Sequence, residues 1–67
     1  MSNNTRDIQA DTILAALAVI YPDSAEDPAH LLTHALGDLR HLADKHELSF
    51  VQHDRDAYKI YLQEKAL

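Results

Sequence analysis

Three histidines and an aspartate, His30, His34, Asp38 and His41, follow one another at spacings of four, four and three residues. On a helix those intervals place each side chain one turn beyond the last, so the four share one stripe. Two histidines four apart can hold zinc, copper or nickel through their ring nitrogens, and a carboxylate can complete such a set. Histidine as a residue type changes charge near neutral pH, so the five histidines of the chain offer a pH-dependent surface instead. The leucines of this segment fall on the opposite side, so the stripe is expected to face water as a solvated polar face. A metal- or pH-responsive role for it is the alternative reading.

A second constellation joins His46 to Asp54. His46 falls on the apolar side near the end of its helix, where the backbone dipole favours a cation. Asp54 interrupts the apolar stripe of the next helix between Phe50 and Tyr58. A carboxylate buried there needs a partner. Asp54 is therefore expected to form a structural polar pair with His46, to bond a tyrosine hydroxyl, or to reach across a subunit interface. No nucleophile is spaced to join them.

The elements that carry these groups must come from 67 residues without a cysteine, which leaves no disulfide to support the fold. A chain of this size buries only about 60% of the surface it exposes when unfolded. Oligomerisation, close helix packing or a bound metal are the remaining aids. The longest apolar stretch, Ile13 to Tyr21, is too short to span a bilayer, and Arg6 is offset by Asp7 and Asp11, so its flank does not read as a signal peptide. A cytoplasmic protein without a membrane contact is the simplest expectation.

Six lysines and arginines stand against eleven acids, a formal charge of -5. That balance repels nucleic-acid phosphate unless the cations cluster. Arg6, Arg40, Lys45, Arg55, Lys59 and Lys65 are instead dispersed, each close to an acid. Asp23, Glu26, Asp27 and Asp44 could imitate a phosphate backbone, which gives a further alternative, an acidic inhibitor of a nucleic-acid-binding partner.

One glycine, two prolines and few β-branched residues favour helix throughout. The expected fold is all-α, a small three-helix bundle completed by homodimerisation, with a flexible tail at 1–4 and a single domain at 5–67. Helices are expected at about 5–21, 28–46 and 50–65. Asn4 or Thr5 caps the first, and Pro22 ends it by disfavouring helical geometry at the residue before. Asp27 caps the second and Pro28 occupies its first position, where a missing amide hydrogen costs nothing. Ser49, followed three residues later by Gln52, has the pattern of a capping box for the third.

The first helix places Ala10, Ile13, Leu14, Leu17, Ile20 and Tyr21 on one face. Its opposite side carries Ile8, Ala15, Ala16 and Val19. A helix apolar on both sides is normally covered on both. Ile8, Ala15, Ala16 and Val19 are therefore the expected partner or dimer interface, with the alanines permitting close approach. The second helix buries Leu32, Ala35, Leu36, Leu39, Leu42, Ala43 and His46, and Gly37 within it marks either close packing or local tolerance. The third buries Phe50, Val51, Ala57, Tyr58, Tyr61 and Leu62.

The string LADKHELSF between the last two helices has the outline of a helix-turn-helix. Glu47 stands where the turn glycine belongs, and His53 and Asp56 fall where the second helix needs apolar residues. Direct DNA binding is not expected.

Residues 31–64, LLTHALGDLRHLADKHELSFVQHDRDAYKIYLQE, resemble short helical open reading frames common in bacteriophages, prophages and plasmids, in which a DLRHLAD-type helix precedes a Leu-x-Phe turn and an aromatic-containing helix. The resemblance implies a bacterial or phage cytosol and an accessory role, and assigns no functional residue. With no phosphate loop, nucleophile motif or catalytic carboxylate pair, an enzyme is not expected, nor a cofactor. The expected function is a non-enzymatic protein-interaction module that associates with itself and with another protein.

Overall fold

A computed structural model describes residues 5–66. The tail at 1–4 and the Asn4 cap lie outside the described residues. Among the described residues the chain is all-helical and has no strand: α1 runs Thr5–Ile20, a single 3-10 turn follows at Pro22–Ser24, then α2 at Pro28–Lys45 and α3 at Phe50–Ala66. The chain divides into two compact units, the first ending at Gly37 and the second beginning at Asp38.

In the first unit α1 ends as its sequence demands. The Tyr21 amide makes a last helical bond to the Leu17 carbonyl, and Pro22 opens the 3-10 turn. Asp27 then starts α2. Its Oδ1 accepts the His30 amide at 3.2 Å and its carbonyl accepts the Leu31 amide at 3.0 Å, with Pro28 in the first helical position. Leu31 is the one large side chain buried completely among the described residues, at 0% exposure. Leu17, Ala18, Tyr21, Ser24 and Ala35 are half-buried, so the burial in this unit brackets the joint between α1 and α2. Tyr21 reaches over that joint: its ring stacks on His34 at 5.6 Å, and its hydroxyl donates to the His34 carbonyl at 3.5 Å.

The second unit turns by a different device. After Lys45 the backbone closes with the Leu48 amide bonded to the Ala43 carbonyl at 2.8 Å and the Glu47 amide to the Asp44 carbonyl at 3.2 Å. Glu47 is left-handed, with φ at 55°. This is the six-to-one, five-to-two closure that helices commonly make with glycine. It also sets Leu48 back toward Ala43, a buried position at 7% exposure. Ser49 starts α3, its Oγ accepting the Gln52 amide at 3.1 Å. The Arg40 guanidinium lies 4.4 Å from the centre of the Phe50 ring and ties the start of α3 to α2.

Several expectations need correction. Only half of the capping box forms, because the Gln52 side chain donates to both Asp56 carboxylate oxygens, at 3.2 and 3.3 Å, instead of turning back to Ser49. The buried leucine of α2 is Leu31, beside the expected stripe, while its neighbour Leu32 is exposed. Leu36, Leu39 and Leu42 on α2, and Val51, Tyr58, Tyr61 and Leu62 on α3, are exposed as well. Gly37 does not mark close packing: a Cβ placed there meets nothing within 4 Å.

Candidate interaction surfaces

The stripe of α2 comes first because it carries the titratable groups. His30 and His34 stand one turn apart with ring centres 4.6 Å from each other. His30 also leans toward its cap, its Nδ1 lying 4.0 Å from Asp27 Oδ2. His34 faces Tyr21 on its other side. His30, His34, Asp38 and His41 are all exposed, as are Leu32, Leu36, Leu39 and Leu42 on the same helix. Among the described residues no group of three or more histidines and carboxylates gathers to hold a metal ion.

The His46 and Asp54 pair is not made. Both side chains are exposed, and no polar or charged side chain is buried among the described residues. The expectation rests on burial of Asp54 within the α3 stripe. The stripe is open to solvent, so its carboxylate is hydrated and needs no protein partner.

Among the described residues every helix exposes apolar side chains: Leu32, Leu36, Leu39 and Leu42 on α2, and one face each on α1 and α3. On α1, Ile8, Ala15, Ala16 and Val19 are exposed as a group, Val19 at 81%. Thr12 lies in the same stripe, between Ile8 and Ala15. Its hydroxyl donates to the Ile8 carbonyl at 2.8 Å, so the polar end is satisfied within the helix and the methyl is left for the face. Sequence reasoning passes over Thr12 because a threonine reads as polar until its hydroxyl is accounted for. Ile13 and Ile20 of the expected core side are exposed too, so α1 offers apolar residues to water on both flanks.

On α3 the exposed face is aromatic. Tyr58 and Tyr61 stack with ring centres 6.2 Å apart and planes inclined by 22°. Lys65 Nζ sits 5.6 Å from the centre of the Tyr61 ring. Val51 and Leu62 flank the tyrosines, and Asp54 stands one turn before Tyr58. No helix is long and apolar enough to cross a membrane among the described residues. Comparison with protein-family models, with curated proteins and with solved structures returned no match.

Proposed function

We propose that the chain is a non-enzymatic protein-interaction module that associates with itself and with another protein. The supporting observation is the open stripe of Ile8, Thr12, Ala15, Ala16 and Val19 on α1, apolar along its length and exposed among the described residues. A soluble helix ordinarily turns charge toward water and hides residues of this kind. Small alanines at the centre let a second helix approach closely, and Ile8 and Val19 supply branched side chains at either end of the contact.

The net charge of -5 favours a protein partner over nucleic acid. In the setting implied by the resemblance to phage and plasmid reading frames, the module is a cytoplasmic accessory or regulatory protein. Its mass in solution and its capture of partners from the native host test this together. A dimer or larger assembly at micromolar concentration is expected, and Val19→Glu should abolish capture of the second protein. A strict monomer that captures nothing would overturn the reading.

A further inference from the structure

One line among the exposed residues of α3 has an order that says what can cover it. Val51, Asp54, Tyr58, Tyr61 and Lys65 follow at spacings of three, four, three and four. That alternation has the spacing of a two-stranded coiled-coil seam, here with charges at two of its five positions, and alternate three- and four-residue steps keep such a line on one side of the helix. The line reads apolar, acidic, aromatic, aromatic, basic. Its charges lie on opposite sides of the tyrosine pair, four residues before Tyr58 and four after Tyr61.

This arrangement is self-complementary in one orientation. In an antiparallel pair of α3 helices, with the two-fold axis passing between Lys59 and Ile60, Asp54 of one copy meets Lys65 of the other, and Tyr58 meets Tyr61. Both contacts occur twice, as a two-fold interface requires. A parallel pair in register would set Asp54 against Asp54 and Lys65 against Lys65. Like charges there oppose association and select the antiparallel form. Ala57 and Leu62 lie at the margins of the seam, together with Arg55 and Glu64.

The geometry points to α3 as the surface that pairs two copies of this chain, antiparallel, through Asp54, Tyr58, Tyr61 and Lys65. The inference rests on the reading that the chain self-associates and assigns that contact to a particular helix. The side chains are already disposed for it. Tyr58 and Tyr61 are exposed by 60% and 52% and stack on each other. Lys65 lies over Tyr61. Asp54 is exposed and makes no hydrogen bond or ion pair among the described residues, so its carboxylate is available to the second copy. The α1 face then remains open for a protein that is not a copy.

Charge exchange tests the pairing, with mass followed by sedimentation equilibrium and helicity by circular dichroism. Asp54→Lys alone sets the introduced lysine against Lys65 twice in each dimer, and Lys65→Asp alone sets Asp54 against the introduced aspartate twice. Each change should weaken the dimer by about tenfold or more. The double exchange D54K/K65D restores opposite charges at both contacts and should restore the wild-type dissociation constant. An equimolar mixture of the two single variants should dimerise as a heteropair. All of these positions are exposed, so the variants should keep their helicity. Dimers that ignore all three changes but are dissolved by Val19→Glu would overturn the α3 assignment and leave self-association standing through α1. Dimers that ignore all four changes would overturn the α3 assignment alone. A wild-type chain that stays monomeric at every concentration would overturn both.

Discussion

The joint at 21–27 and the joint at 46–49 connect helices of similar length, and they differ in how much burial supports them. The first adds burial to its hydrogen bonds, in which the Ser24, Ala25 and Asp27 amides bond the Tyr21, Pro22 and Ser24 carbonyls. Leu31 is enclosed, five further residues are half-buried around the joint, and Tyr21 spans it to the ring of His34. The second is stabilised by hydrogen bonds between local groups. Ala43 and Asp44 carbonyls receive the Leu48 and Glu47 amides, Ser49 receives the Gln52 amide, and the geometry is reached only by holding Glu47 left-handed. A turn held by apolar burial depends on one residue being the right size. A turn held by backbone bonds tolerates its side chains but depends on an uncommon dihedral angle.

Substitution at Leu31 should expose the difference most strongly. Leu31→Ala removes a fully enclosed side chain and should lower stability by about 2 to 5 kcal/mol, enough to unfold a domain of this size. Leu32→Ala, one position away and exposed, should cost under about 1 kcal/mol because little transfer from water is undone. Chemical denaturation of the two variants side by side measures the contrast, and equal losses would dissolve it.

The caps come next. Asp27→Ala and Ser49→Ala should each cost about 1 kcal/mol through loss of a helix-start acceptor. The thermal midpoint reads both. A markedly larger loss at Ser49 would fit the second joint, where hydrogen bonds are the principal restraint. Glu47→Gly should stabilise the chain by about 1 kcal/mol, since glycine adopts φ near 55° without the steric cost that a Cβ imposes. A destabilised Glu47→Gly variant would mean that the Glu47 side chain contributes something beyond turn geometry. Gly37→Ala should give the smallest gain, roughly 0.5 to 1 kcal/mol, because a methyl enters open space within a helix. Helicity measured against temperature checks it.

Much of the helical plan is legible in the sequence because starts and stops are local chemistry. Asp27 with Pro28, and Ser49 three residues before Gln52, mark helix starts that are found at Pro28 and Phe50. Pro22 marks the end of α1. Burial is less legible. Leu31 and Leu32 are adjacent leucines, and both lie at the margin of a broad apolar face. Which of them turns inward depends on how the chain returns after the 3-10 turn, and local periodicity does not encode that. Burial of the α3 stripe follows, in the sequence, from its apolar content, and a partner for Asp54 follows from that burial; in the single chain the stripe is exposed and Asp54 is not paired with His46, which leaves contact across a subunit interface as the expectation still to be tested. Glu47 shows the opposite case. The missing glycine leaves the tight turn to a residue that carries a Cβ, and two backbone bonds and the return of Leu48 toward Ala43 offset the cost of a left-handed glutamate.

The turns of α3 that carry Tyr58 and Tyr61 are exposed to water, with the two rings stacked on each other. Their amides exchange with solvent through local opening of the helix. A second helix laid along those turns would slow their amide exchange first and most. Time-resolved exchange at Tyr61 thus becomes a clock for association, running fast in the single chain and slow in the pair.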